Sequence, residues 1–359
     1  MEQIMGFLAP ILVALTVFFL NFGLPGRWIE GYINRPGSDK KMKYRLNGFR
    51  VFWVIIGLWY LAGSLRIVPF DWLYRFRWYG LAGAFVSGVI FSLAVVLPHS
   101  PVRKTFLADL YLGRAENLQF GKGKIDAKMW LYLVGAILLE LNVLSFTAHH
   151  LMTFGEKASP GIVLSAALLT FFVLDYLTFE HVHLYTYDIF AERVGFKLGW
   201  GCLVFYAYFY AIGFWATVDL PNPQTPTWLL VLYGVLFFSG WILARGANMQ
   251  KYYFKVDPGR SFMGIQPQSI SNGQKTLLVN GFWGVSRHIN YLGEILMSTG
   301  IILCMGYPGI ILPWLYPLYY VALLFTRQYY DNKRCARKYG DLWKEYEQKV
   351  PYRIIPYIY

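Results

Sequence analysis

The sequence predicts an all-α fold, a polytopic transmembrane bundle of nine to ten helices, and three observations lead there. Hydrophobic residues make up 56% of the 359 and charged ones only 15%, a balance too apolar for a soluble globular domain. The apolar residues gather into runs that can each cross, with tilt, a hydrocarbon core roughly 30 Å thick. The polar stretches between those runs are all shorter than about 45 residues, too short for a separate soluble domain, so one membrane domain over 1–359 is expected.

Spans are expected near 5–22, 51–65, 78–98, 129–147, 161–179, 198–218, 227–244, 289–305 and 309–326. The first is preceded by Glu2 rather than Lys or Arg, and no small-residue cleavage site appears before Pro25 and Arg27, so it reads as a retained helix. The 33 basic residues fall in alternate connections and the tail, apart from Arg66, Arg75, Arg77 and Lys157. That asymmetry predicts a cytoplasmic basic side, the N-terminus outside and the C-terminus inside. It also assigns the net charge of +13 to loops beside lipid headgroups and not to nucleic acid.

Several polar residues lie where lipid would surround them. Glu140 and Asn142 fall inside the fourth span, where an ionisable group faces either a partner helix or a wet cavity. The stretch 179–197 places Glu180, His181, His183, Asp188 and Glu192 directly after a span that already contains Asp175. The sixth span carries Tyr206, Tyr208 and Tyr210 with Trp200 and Trp215, and Tyr206 and Tyr210 share one helix face. Such stripes usually mean packing, but together they also suit a slot for a flat polycyclic ligand with few polar anchors. Cys202, Cys304 and Cys335 lack any disulfide or zinc spacing, and no metal site is expected.

After the seventh span comes "RGANMQKYYFKVDP", with Lys251 and Lys255 one helical turn apart and Arg245 upstream. Lys and Arg are the usual partners of phosphate, although the same face could simply meet anionic lipid. "FWGVSRHINY" and "RQYYDNKRC" add Trp283, Arg287, His288, Asn290, Tyr291, Arg327 and Asp331 on the same side. Trp283 can stack on a base, Asn290 and Asp331 can hold amide or ribose groups, and the arginines can hold phosphates. No GxGxxG follows a strand, so the constellation is not of the Rossmann kind.

The motifs "DLYLGRAENL…GKIDAKMW" (109–130), "YDIFAERVGFKLGWG" (187–201), "RGANMQKYYFK" (245–255) and nearly all of 277–359 resemble the sterol reductase family, which includes sterol C14 reductase, 7-dehydrocholesterol reductase, C24(28) sterol reductase and the membrane part of lamin B receptor. The resemblance implies about ten transmembrane helices, with 1–226 as scaffold and sterol side and 227–359 as the NADPH-binding half. It implies NADPH-dependent reduction of a sterol carbon–carbon double bond. It carries cofactor contacts onto Lys251, Lys255, Trp283, Arg287, His288, Asn290, Tyr291, Arg327, Asp331, Cys335 and Tyr339. Where relatives often read "GDxxWxPFxYxLQ", this chain reads "GCLVFYAYFYAIG", with Cys202, Ala207 and Gly213 replacing Asp, Pro and Gln, so the sterol side is expected to be reshaped. "EHVHLYTYD" leans toward side-chain, C24-type reduction.

Such a reaction needs a proton on one carbon and a hydride on the other. Candidate acids are Asp331, Tyr210, Glu180 and Tyr187, because burial disfavours the ionised form of each. Expected partners are a sterol and membrane lipids. The expected location is the endoplasmic reticulum in a eukaryote or the inner membrane in a bacterium, with the cofactor site cytoplasmic. Two other readings stay open. Residues 287–356 resemble the C-terminal scaffold of isoprenylcysteine methyltransferases, and a non-catalytic sterol-binding membrane protein is the alternative from another class. The Lys251/Lys255 pair favours NADPH over S-adenosylmethionine, which has no phosphate.

Overall fold

A computed structural model describes residues 1–35 and 37–359. The chain folds as two units, Met1–Asn222 and Pro223–Tyr359. The first contains α1 (Glu2–Gly23), β1 (Arg27–Asn34), β2 (Lys41–Leu46), α2 (Gly48–Ser64), α3 (Trp72–Arg75), α4 (Arg77–Val96), α5 (Phe106–Leu112), β3 (Gln119–Phe120), β4 (Ile125–Asp126), α6 (Ala127–Phe154) and α7 (Pro160–Thr178). It continues through α8 (Glu180–His183), α9 (Tyr187–Phe190), α10 (Phe196–Trp200), a π-helical segment (Gly201–Phe209) and α11 (Ile212–Thr217). The second unit contains α12 (Thr227–Val256), β5 (Ser269–Ser271), β6 (Thr276–Leu278), α13 (Phe282–Val285), α14 (Ile289–Cys304), α15 (Ile311–Tyr339) and α16 (Asp341–Lys349).

Every predicted span is helical. Among the described residues, six helical stretches are long and apolar enough to cross a membrane, and α2 and α14 are shorter apolar helices. The protein is therefore an integral membrane protein. One part of the all-α expectation is corrected, because three two-stranded antiparallel ribbons are present among the described residues. The largest, β1–β2, forms because 41–46 alternates strictly: Met42 and Tyr44 turn inward while Lys41 and Lys43 stay exposed. Met42 and Tyr44 pack with Met129, Leu184 and Ile189. At the end of α1, Arg45 takes the place of a glycine cap by donating to the carbonyls of Asn21, Phe22 and Leu24.

In the first unit α6 is the central post, buried along most of its length. Thr170 Oγ1 donates to Glu140 Oε1 at 2.8 Å, tying α6 to α7. Asn142 Nδ2 donates to the Ala207 carbonyl at 3.1 Å, inside the π-helical segment, so both intramembrane polar residues bond helix to helix. Helices α1 and α4 meet through small residues. A Cβ at Gly83 would overlap the Phe7 carbonyl oxygen, a backbone atom, so one of the two helices would have to shift. Gly83→Ala should therefore lower the thermal midpoint of the detergent-purified protein, at an overpacking cost of about 1–3 kcal/mol. A midpoint equal to that of the parent would show that α1 and α4 are not in such contact.

The family-like motifs of the first unit turn out to bind one another. Asp109, fully buried, accepts from the backbone N–H groups of Val102 (3.0 Å) and Arg103 (3.1 Å) and pairs with Arg114 (2.8 Å) and Arg103 (3.2 Å). Burial alone would raise its carboxyl, but these bonds and the two guanidiniums hold it below the ordinary value. Lys128 Nζ donates to the carbonyls of Ile189 (2.6 Å) and Glu192 (2.7 Å), and Arg193 donates to Arg114 O (2.7 Å). These motifs are a brace built from sequence-distant pieces.

Candidate cofactor site and the membrane unit

The second unit is organised by the contact of α12 with α14. A Cβ at Gly240 would lie 2.6 Å from the Gly293 carbonyl oxygen, so the two backbones touch, as small residues permit. That approach brings the polar end of α12 against α13 and the start of α14. Trp283 Nε1 donates to Ala247 O at 2.8 Å, and Gln250 Oε1 accepts the Phe282 N–H at 3.0 Å. Lys251 Nζ lies 5.2 Å from the centre of the Trp283 ring. Asn290 Nδ2 donates to Asn248 Oδ1 at 3.3 Å, and Tyr291 stacks on His288 with ring centres 4.8 Å apart.

Arg287 is held from several sides. It is 5% exposed, its Nη1 pairs with Glu347 and lies 3.4 Å from Asn332 Oδ1, and its Nη2 donates to Pro351 O at 3.1 Å. Asn332 Oδ1 also accepts from Trp343 Nε1 at 3.2 Å. Ser286 Oγ and the Arg287 N–H bond to the carbonyls of Ile354 and Tyr352, so the closing segment straps down this corner. Burial, then the charges of Lys251 and Arg287, push His288 down to about 3, which keeps its imidazole neutral at physiological pH.

Three buried polar atoms in this stretch have no hydrogen-bond partner among the described residues: Arg287 Nε, His288 Nε2 and Asn290 Oδ1. Two donor-capable nitrogens and one amide oxygen left bare within four residues are what a polar ligand would satisfy. The residues expected to hold a phosphorylated dinucleotide therefore fit that group: cations for phosphate, an aromatic face, and open amide and imidazole atoms.

The structure thus brings together Lys251, Trp283, Arg287, His288, Asn290 and Tyr291. Lys255 lies one turn beyond Lys251 on α12, and Arg327 one turn before Asp331 on α15. Cys335 and Tyr339 pack against the apolar cluster of Ile270, Leu342, Trp343, Tyr346 and Val350 formed by α16 and the β5–β6 ribbon, and Tyr346 of that cluster donates to Trp283 O at 3.2 Å. Burial, then Asp331, push the Cys335 thiol up to about 12, and its Sγ lies 4.0 Å from Asp331 Oδ2. Sequence reasoning did not assign Glu347 or Asn332 to the site. Glu347 has no local signal that sets it apart, being one of several acidic residues, with Asp341 and Glu345, among the arginines and lysines of the tail.

The other candidate acids lie in the first unit. Tyr210 follows the π-helical segment, its ring 5.0 Å from that of Tyr206, and Tyr132 links Tyr206 to Tyr176 through ring contacts of 6.5 and 6.0 Å. Tyr187 opens α9, its ring 6.0 Å from Phe190. Elsewhere in this unit, α1, α4, α6 and the π-helical segment line a half-open apolar cavity of about 170 Å³.

Glu180 is buried beneath the start of α2, its Oε2 accepting the Gly48 N–H at 3.1 Å. Burial pushes its carboxyl up to about 7 from 4.5, against a smaller opposing effect of the Gly48 bond. The fold therefore prefers the neutral acid. Its stabilisation is full below about pH 4.5 and is lost as pH rises through about 7. Glu180→Gln should flatten that part of the stability–pH curve in thermal unfolding at about pH 5 and about pH 8, and an unchanged slope would show that the carboxyl is not held neutral.

An integral membrane protein of many helices, with a cationic polar site built on α12, α14 and α15, is the class these features define. Comparison makes it particular: the model of the Ergosterol biosynthesis ERG4/ERG24 family matches residues 7–359, and the chain belongs to that family. It is 30% identical to the Delta(14)-sterol reductase of Arabidopsis thaliana over 97% of this chain and 95% of that protein. It is 31% identical to the Delta(14)-sterol reductase TM7SF2 of Mus musculus, over 96% and 85%. To the Probable 7-dehydrocholesterol reductase of Acanthamoeba polyphaga mimivirus it is 30% identical, over 92% and 75%. The resemblance drawn from the motifs thus extends along nearly the whole chain.

Proposed function

We propose that this protein reduces a carbon–carbon double bond of a sterol with NADPH. The observation that carries the reading is the trio of open buried atoms, Arg287 Nε, His288 Nε2 and Asn290 Oδ1, beside Lys251. NADPH, when bound, supplies the hydride. Lys251 and Lys255 bind the 2′-phosphate, Arg287 the pyrophosphate, and the Trp283 face, its N–H already used on Ala247, stacks on a ring. Neutral His288 and Asn290 orient the polar groups between. Asp331 is the favoured proton donor or nicotinamide anchor, with Tyr210, Glu180 and Tyr187 as the other acids. Glu180 is the weakest of these, because it is engaged under α2.

Relatives named for C14 and C7 reduction favour a ring double bond, C14 first, over the side-chain position suggested by "EHVHLYTYD". The basic connections favour a cytoplasmic cofactor site, in the endoplasmic reticulum of a eukaryote or the inner membrane of a bacterium. Purified protein with NADPH should add two hydrogens to one of three sterols unsaturated at C14, C7 or C24, read by mass spectrometry. No such product from any of them would overturn the reading, and methyl transfer from S-adenosylmethionine would replace it with the methyltransferase alternative. Lys251→Ala should raise KM for NADPH about tenfold or more while leaving KM for NADH nearly unchanged. Equal shifts for the two nucleotides would remove Lys251 from the 2′-phosphate.

A further inference from the structure

Gln250 and Lys251 lie three and four residues after Ala247 on α12, so the three share one helix face. Ala247 meets the edge of Trp283 and Lys251 meets its ring, while Gln250, 3% exposed, holds the turn just before it. Gln250 Oε1 accepts the Phe282 N–H at 3.0 Å, and Nε2 donates to Asn280 O at 3.4 Å. Phe282 opens α13, so its N–H has no carbonyl of its own helix to meet. A primary amide supplies both an acceptor and a donor here, whereas a carboxylate can only accept. Both ends of the Gln250 amide are thus spent on the protein.

The fit around this amide is close. Gly281 sits in the turn at φ +63°, and a Cβ there would overlap Gln250 Nε2. Gly246, on the same helix, admits the Phe282 ring, which a Cβ would also overlap. Asn280 carries the hold outward, its Oδ1 accepting the Gln268 N–H at 2.9 Å and its Nδ2 donating to Gln266 O at 2.8 Å. Trp283 follows directly. Its Nε1 bond to Ala247 O, at 2.8 Å, fixes one edge of the indole, and a ring held at one edge can still pivot about that contact. The plane is set once the backbone end is fixed too, by Gln250 at Phe282 and by the Tyr346 hydroxyl on Trp283 O at 3.2 Å. A ring already held in its binding orientation has less freedom to lose when a ligand stacks on it.

We infer that Gln250 is a positioning residue of the cofactor site: by holding the turn from Asn280 to Phe282 it fixes the Trp283 face beside Lys251, and so sets nucleotide affinity without touching the nucleotide. The inference rests on the reading of this corner as the NADPH site.

The test is calorimetric titration of the detergent-purified full chain with NADPH, beside kcat on the accepted sterol. Gln250→Met keeps the length of the side chain and removes both amide bonds. It should raise Kd for NADPH about five- to tenfold and leave kcat at saturating NADPH nearly unchanged. In a Trp283→Ala background the same substitution should change Kd by less than about twofold, because no ring is left to position. Gly281→Ala, which presses a methyl group onto the same amide, should weaken NADPH in the same way and carries the test if Gln250→Met does not fold. In the parent, the Phe282 amide should be protected from hydrogen exchange before NADPH is added. An unprotected amide, a folded variant that binds NADPH like the parent, or a loss undiminished in the Trp283→Ala background would overturn the inference and leave the functional reading standing. A parent that binds no NADPH would overturn both.

Discussion

Arg287→Ala should weaken NADPH binding by about 100-fold or more, measured by titration calorimetry on detergent-purified protein. The guanidinium already spends Nη1 on Glu347 and Asn332 and Nη2 on Pro351 O, so it stands in one orientation before any ligand arrives, with Nε open. A charge-assisted hydrogen bond from such a preorganised cation contributes about 1.5–3 kcal/mol, and losing the charge itself adds to that. Truncation also leaves Glu347 without its cation, so some loss of stability should accompany the loss of affinity. Glu347→Gln separates the two effects, since it keeps the guanidinium but loosens its orientation. It should reduce affinity by a smaller factor, with kcat nearly unchanged. A folded Arg287→Ala protein that binds NADPH like the parent would remove this corner from the cofactor site.

Asp331→Asn should reduce kcat on the accepted sterol by about 10²–10⁴-fold if the carboxyl delivers the proton. The substitution keeps size and hydrogen-bonding capacity, and the neighbouring Cys335 Sγ, 4.0 Å away, loses only a weak contact. A change in KM for NADPH with kcat intact would instead make Asp331 a nicotinamide anchor, and full activity would exclude both roles. Tyr210→Phe then becomes the decisive variant, because Tyr210 stands beside Tyr206 at the end of the π-helical segment.

Much of the site was legible because its parts are close in sequence. Trp283, Arg287, His288, Asn290 and Tyr291 come within nine residues, and Lys251 and Lys255 share a helix face by spacing alone. What was not legible depends on distant partners. Glu347 and Asn332 look like ordinary tail residues until α16 folds back and presents them to Arg287. Cys335 and Tyr339 match the family motif, yet they border the apolar cluster between α16 and the β5–β6 ribbon, which only packing reveals. Glu180 followed a span and read as a candidate proton donor. Its role beneath Gly48 joins residues 132 apart in sequence.

By itself the sequence determined that the protein lies in a membrane and where most of its spanning helices begin, while α6, α12 and α15 run well past the ends expected for them. Length, apolarity and charge asymmetry are local quantities that lipid and water act on directly. The alternation of Lys41 to Leu46 was equally local, and the ribbon it builds could have been foreseen. Tertiary structure alone decided that the middle of the sixth span winds as a π-helix with Asn142 bonded to Ala207, that the family-like motifs of the first unit brace one another, and that three polar atoms near Lys251 are left open. A hydrogen bond is satisfied or left bare by whatever folds next to it, and no single segment carries that information.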